Sequence, residues 1–254
     1  MNPREIRLSL KNQKPLFGIW RLIQSNDLTE IIGLSGFQFQ IFDREHGNFD
    51  FAAVQEGIRN CELVGCSPWV RVKGIDSVEV QRALDLGAHG IVFPQLKSLQ
   101  DFQSAVECMK FPPLGRRGFN PFTRAGNYGS KSGTQSKLSN DFALCIPIVE
   151  TLSAVEELES ILALPGIDMI YVGAYDLSVQ LDCKGDMQNP KLVTAIKGIL
   201  AKCRKAKKPS CLMVKTPKEI TYYKKLGAFA YVYTVDTAVI RDAFGQKIQG
   251  ARLK

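Results

Sequence analysis

The chain has 254 residues, 45% of them hydrophobic, with 33 Lys and Arg against 25 Asp and Glu, a net charge of +8. That length and balance suit one globular domain over residues 1–254 with a substantial core, and no apolar run is long enough to span a bilayer. The amino terminus lacks the apolar stretch of a signal peptide, and seven cysteines without C-x-x-C or Cys/His spacing fit reduced, buried thiols in a cytoplasmic protein rather than a zinc site.

Strand-like and helix-like segments alternate along the chain. Leu16–Trp20 precedes an amphipathic stretch over Asp27–Leu34, and the aromatic-rich strand Phe37–Phe42 precedes a helix over Phe51–Val64. Pro68–Val72 leads into Ser77–Leu86, and Gly90–Phe93 into Leu99–Met109. Residues Phe111 to Asp141 form a long irregular stretch rich in turn formers and arginine, the kind of loop a compact domain keeps for function. Leu144–Val149 precedes Ala154–Leu164; Asp168–Val172 precedes, after a loop, Leu192–Arg204. Lys202, Arg204, Lys205, Lys207 and Lys208 close that helix, where cations complement its dipole. No nucleic-acid module accompanies them, so an anionic small substrate is the better match to the positive field than nucleic acid. Ser210–Val214 with Pro217–Leu226, and Phe229–Val235 with Ala238–Phe244, complete eight pairs.

Gly65, Gly87, Gly166 and Gly227 fall where helices stop. Strict β–α alternation implies parallel strands, and eight units in this length predict an α/β fold, a (β/α)8 TIM barrel. A doubly wound sheet is the alternative, but no Gly-x-Gly-x-x-Gly follows the first strand.

Active sites of such barrels gather at the carboxyl ends of the strands. Strand 2 delivers Asp43, Glu45 and His46; strand 3 delivers Arg71 and, by alternation, Lys73. Strand 5 ends in Glu150, the turn Gly173-Ala174-Tyr175-Asp176 follows strand 6, and strands 7 and 8 end at Lys215 and Asp236. Glu150 and Asp176 form an oxygen-only pair suited to Mg²⁺ or Mn²⁺. A helix cap for Asp176 and a salt bridge from Glu150 to Arg71 are the alternatives for each. With a cation there, a 2-oxo acid would chelate through its carboxylate and keto oxygen, the amides of Gly173–Asp176 would help hold the carboxylate, and Arg71 would stabilise an enolate. His46, oriented by Asp43, would move the proton. A turn in which Asp43 and His46 only satisfy backbone groups remains open, as does a Schiff base through Lys73 or Lys215.

The chain resembles the HpcH/HpaI family of metal-dependent class II pyruvate aldolases, which includes 4-hydroxy-2-oxoheptanedioate and 2-dehydro-3-deoxyglucarate aldolases. The resemblance rests on Phe42-Asp43-Arg44-Glu45-His46, Val70-Arg71-Val72, Leu84-Asp85-Leu86-Gly87-Ala88, Pro112-Pro113-Leu114-Gly115-Arg116-Arg117-Gly118, Ile148-Val149-Glu150-Thr151, Gly173 to Ser178 and Val235-Asp236-Thr237. It implies a barrel with an exchanged last helix, a hexamer built as a trimer of dimers, and a divalent cation (Mg²⁺, Mn²⁺ or Co²⁺) on Glu150 and Asp176. It implies Arg71 as enolate stabiliser, an Asp43–His46 acid/base dyad supported by Glu45, and Asp85 and Arg124 near the site, where a neighbouring subunit contributes. Leu212 is implied to face the aldehyde. The activity implied is aldol cleavage or addition of a 2-oxo-4-hydroxy acid, giving pyruvate or a close analogue and an aldehyde. An enolate-forming condensing enzyme or oxaloacetate decarboxylase is the alternative on the same scaffold, and a non-catalytic or nucleic-acid-binding barrel a third. Arg44, Ile148 and Tyr175 depart from the family pattern, which points to an altered acceptor side.

Overall fold

The computed structural model describes residues 1–130 and 140–252. Eight parallel strands close into a barrel in sequence order: β1 (Leu16–Arg21), β2 (Phe39–Asp43), β3 (Ser67–Arg71), β4 (Gly90–Phe93), β5 (Leu144–Val149), β6 (Ile170–Val172), β7 (Ser210–Val214) and β8 (Ala230–Val235). The predicted (β/α)8 barrel is the fold observed.

Polar starts and glycine stops delimit the helices. Asp50, Asp76 and Thr216 each cap one through a side-chain oxygen, and Ser98 with Asp101 forms a reciprocal capping box. The four predicted stop glycines all take positive φ, between 68° and 103°, a region that favours glycine.

Two apolar layers hold the barrel. Inside it, Trp20, Phe39, Ile41, Trp69, Ile146, Ile148 and Tyr171 pack together, with Phe39 and Trp69 stacked at a centroid distance of 3.9 Å. Gly18 makes room, since a Cβ there would stand 2.1 Å from the Phe39 ring. Outside it, the alternate strand residues meet the helices.

Four segments differ from expectation. A first helix, α1 (Pro3–Lys11), places Ile6 and Leu10 in the interior cluster beside Leu16 of β1. The segment Ala154–Leu164 splits into Leu152–Glu156 and Leu158–Ala163, with Glu157 between them accepting a hydrogen bond from the Leu99 amide. The turn after β6 is itself a helix, Ala174–Gln180. The last helix runs over Asp236–Arg252, well beyond Phe244. The long segment 111–141 includes a 3₁₀ turn, Arg124–Gly129, and its residues 131–139 lie outside those described. No helix among the described residues is long and apolar enough to cross a membrane.

At the amino end of the barrel, His89 is buried against Phe142, with Nδ1 3.2 Å from Ser67 Oγ. Burial pushes its pKa down to about 4. The unfolded imidazole binds its proton near pH 6.5, so this contribution to stability is whole above that pH and is lost as pH falls through 4. Urea titrations should show wild type losing about 3 kcal/mol more than His89→Gln between pH 7 and pH 4. Parallel losses in the two proteins would remove His89 from the account.

Candidate active site

Strand pairing sets Asp43 opposite Arg71 at the carboxyl ends of β2 and β3. Arg71 Nε donates to Asp43 Oδ1 at 3.0 Å, Nη2 pairs with Asp43 Oδ2, and Nη1 lies 3.0 Å from Glu45 Oε2. The guanidinium stacks 4.4 Å above the Trp20 ring. Burial acts to lower the Arg71 pKa, but Asp43 and Glu45 outweigh it and hold the charge above its ordinary range.

Asp43 Oδ1 also accepts the backbone N–H groups of Glu45 and His46, each at 3.0 Å. A Cβ at Gly47 would stand 2.3 Å from the Asp43 carbonyl oxygen, so the turn Asp43-Arg44-Glu45-His46-Gly47 closes tightly on a glycine. This corrects the expected dyad. Asp43 fixes Arg71 and the His46 backbone rather than the imidazole ring. The ring is 69% exposed at the cavity rim, and Glu45 Oε2, 3.9 Å from Nε2, is its acidic neighbour.

Across the mouth, Glu150 follows β5 and is 2% exposed, its Oε1 accepting the Gln95 amide at 2.5 Å. Burial, reinforced by Asp176 and Glu45, pushes the Glu150 pKa up to about 7. A Cβ at Gly173 would come within 2.5 Å of the Glu150 Cβ, so only glycine lets the two turns approach. The Gly173 amide is taken by the Val149 carbonyl, whereas those of Ala174 and Asp176 lie in the first helical turn, where no intrahelical acceptor exists. Neither simpler alternative is realised: no Asp176 cap bond forms at Gly173, and Arg71 pairs with Asp43 and Glu45 instead of Glu150.

These groups line one cavity of about 420 Å³ together with Trp20, Leu22, Ile148, Tyr171, Tyr175 and Met213. Leu212 is not among them. It is buried against the helical layer, because Cys211 and Met213 are the β7 residues that turn inward. Lys73 and Lys215 lie past the ends of β3 and β7 and outside the lining, Lys215 with Nζ 5.5 Å from the Tyr175 centroid. Asp236 is structural: it accepts the Leu22 and Ile23 amides and Arg21 Nε, and Arg21, fully buried, also donates to Thr29 and Gln40. Arg44 also points away, pairing with Glu79 at 2.8 Å and stacking 3.7 Å from the Phe51 centroid. Asp85 and Arg124 sit at the opposite, amino end, paired with Arg117 and Glu62. Trp20 and Tyr171, joined by an indole-to-hydroxyl hydrogen bond of 2.9 Å, form a floor that sequence reasoning missed.

The chain as a whole has counterparts in known proteins. A family model for the HpcH/HpaI aldolase/citrate lyase family matches residues 16–243, from the first residue of β1 into the last helix. The chain belongs to this family. It is 33% identical over 224 residues to a 2-dehydro-3,6-dideoxy-6-sulfogluconate aldolase of Pseudomonas putida, covering 88% of each chain. It is 27% identical to a 4-hydroxy-2-oxo-heptane-1,7-dioate aldolase of Salmonella typhimurium, covering 91% of this chain and 88% of that one. A solved HpcH/HpaI family protein from Burkholderia cenocepacia superposes with a TM-score of 0.93 at 28% identity, over 98% of this chain and 99% of the other. Membership makes the protein an enzyme of the aldolase and lyase type, with its chemistry at carbon–carbon bonds.

Proposed function

We propose that the protein is a divalent-cation-dependent aldolase that cleaves or forms 2-oxo-4-hydroxy acids, with pyruvate or a close 2-oxo acid and an aldehyde as the partners. The observation that carries this reading is the single cavity in which Glu150 and Asp176 face Arg71, with His46 at the rim. The donor set fits a hard cation. Two carboxylates supply oxygen only and leave positions open to substrate and water. Among the described residues no group of three or more His, Cys, Asp or Glu adds further ligands.

Glu150 and Asp176 would hold Mg²⁺, Mn²⁺ or Co²⁺, which when bound supplies Lewis-acid polarisation of the keto group. The chain's own groups do the rest. The Ala174 and Asp176 amides hold the substrate carboxylate, and Arg71 stabilises the charge that develops as an enolate forms. In cleavage His46 accepts the proton of the C4 hydroxyl, the C3–C4 bond breaks, and its electron pair passes into the enolate while the aldehyde departs. Return of a proton to C3 then gives the 2-oxo acid. Asp43 and Glu45 keep Arg71 aimed throughout.

The last helix supports a homo-oligomer. Among its described residues only Asp236 is buried, while Phe244 and Ile248 are 71% and 52% exposed. An exchange of this helix with a second copy would cover that face, and a hexamer built from such dimers would leave Asp85 and Arg124 to serve a neighbour's site. Seven unpaired, buried cysteines support a reducing, cytoplasmic setting for one domain over residues 1–254.

A screen of 2-oxo-4-hydroxy acids for pyruvate release, with each cation and with EDTA, tests the reading. Release that needs the cation is expected. Full activity after EDTA would sink the metal role. Oxaloacetate decarboxylation without any aldehyde-dependent turnover would replace the aldolase by the alternative lyase.

A further inference from the structure

The net positive charge of the chain comes from one stretch. Residues 190–228 hold eleven of the 33 Lys and Arg and a single acid, Glu219, which leaves 22 cations against 24 acids elsewhere. The stretch forms two helices of the outer wall, Pro190–Lys205 and Pro217–Lys225, on either side of β7 in sequence. They stand side by side. Lys197 Nζ lies 5.9 Å from the Tyr222 ring centroid, and a Cβ at Gly227 would stand 3.1 Å from Arg204 Cδ. At the amino end of the barrel Arg204, Lys205 and Lys207 therefore meet Lys224 and Lys225, all five exposed.

The protein makes little use of these cations itself. Of the eleven, only Lys202 forms an ion pair among the described residues, with Glu159 at 3.8 Å. Glu219 accepts the Lys215 backbone N–H instead, at 2.6 Å. Helix dipoles account for cations in the last turns, but Lys191 and Lys218 sit in the first turns, where a cation is unfavourable. The densest group also lies at the end of the barrel opposite the cavity lined by Glu150 and Asp176, so it does not contact a substrate bound there. Crowded like charges oppose folding, and a polyanion laid across them removes that cost.

The composition of the face decides which polyanion. Tyr222, 40% exposed, is the only large apolar or aromatic side chain these two helices expose, so nothing is available to enter a bilayer. The convex wall of a barrel also meets a planar surface only along its crest. Protein interfaces favour arginine and apolar residues and are poor in lysine, whereas this face is lysine with one arginine. Lysine ammonium groups are point charges suited to phosphate, and a flexible strand can follow a convex wall. Tyr222, flanked by Lys197, offers a ring on which a base can stack.

We propose that the wall formed by these two helices binds single-stranded nucleic acid without sequence preference, through its lysines and the ring of Tyr222. The inference is independent of the aldolase reading.

The test is fluorescence anisotropy of labelled 20-mers of oligo(dT) and oligo(U) with the full chain, from 50 to 200 mM salt. Binding is expected with a log–log salt slope of about −3.5, the value for five neutralised phosphates on a single strand. Lys205→Gln/Lys224→Gln/Lys225→Gln should weaken binding at 50 mM salt by about 10²-fold and flatten the slope by about 2. The same three positions changed to Arg should keep most of the affinity. Tyr222→Leu should weaken binding about fivefold or more with the slope unchanged, as loss of stacking requires. Arg4→Gln/Lys11→Gln/Lys14→Gln removes the same net charge elsewhere and should have little effect, and thermal melts confirm the fold of each variant. Equal losses in the two glutamine triples would reduce the effect to overall charge and overturn the site. Absence of oligonucleotide binding at 50 mM salt, or duplex or phosphatidylserine vesicles bound as tightly as the single strands, would overturn the proposal as well.

Discussion

Arg71→Met is expected to lower kcat for 2-oxo-4-hydroxy acid cleavage by about 10²- to 10³-fold, the usual cost of losing a preorganised group at a developing oxyanion. The position of the guanidinium explains the size of the effect. It lies 4.4 Å over the Trp20 ring, braced by two carboxylates, so it would meet an enolate with no reorganisation. The same bracing gives the substitution a structural cost. Asp43 is 2% exposed and would keep its two backbone donors but lose its counter-charge, a loss of about 3 kcal/mol for a buried pair deprived of one partner. Arg71→Lys separates the two effects: it restores charge beside Asp43 but cannot reach Asp43 and Glu45 with separate arms. Thermal melts should then recover more than turnover does. A methionine variant with turnover within tenfold of wild type would remove Arg71 from enolate stabilisation.

The fold was legible because its units repeat a strong local contrast. Eight short apolar runs alternate with helical segments, polar residues start many of the helices and glycines stop several, and the alternation requires parallel pairing. The site carriers were legible for a related reason. Asp43, Arg71 and Glu150 are charged residues standing at the end of an otherwise apolar run, and a barrel exposes that end. What the sequence could not carry is direction within strands apolar on both faces. In β7, Cys211, Leu212, Met213 and Val214 leave no polar residue to mark which side is inward, so alternation offered no check on the position that the resemblance implied for Leu212, which packs outward. Competition among partners was equally hidden. Asp43 lies three residues from His46, yet it is taken by Arg71 from the neighbouring strand, a choice set by register rather than proximity. Arg44 looked like an intrusion on the acceptor side. Its side chain instead packs on Phe51, which Arg82 also approaches at 4.2 Å. Arg124 could not be placed by motif, because its location depends on the segment after Met109 folding back to the Leu86 carbonyl at the amino end, whereas Asp85 closes the helix that leads into β4 and falls at that end by the alternation itself. The first helix carried a readable signal, Asn2 and Glu5 around Pro3, that its polar composition concealed.

Glu150→Gln probes the opposite wall of the cavity, and its two expected effects have opposite signs. The amide keeps the acceptor for the Gln95 N–H and nearly the same volume, so the turn after β5 should survive. It removes the charge that a divalent cation requires. Turnover is expected to fall by about 10³-fold or more, and the thermal stabilisation by Mn²⁺, about 2.7 kcal/mol at a hundredfold excess over Kd, should vanish. Metal-free stability should move the other way. Burial raises the Glu150 carboxyl to about 7, so the unfolded chain releases this proton first as pH rises from 4.5. Metal-free wild type therefore loses stability between pH 4.5 and 7, by about 2 to 3 kcal/mol, whereas Glu150→Gln does not. Above pH 7 the variant should be the more stable protein without cation and the less stable one with it. That crossing separates a carboxylate kept to hold a cation from one kept to hold the barrel together, since a structural carboxylate would lose stability under both conditions. A glutamine variant that still responds to Mn²⁺ would move the cation away from Glu150.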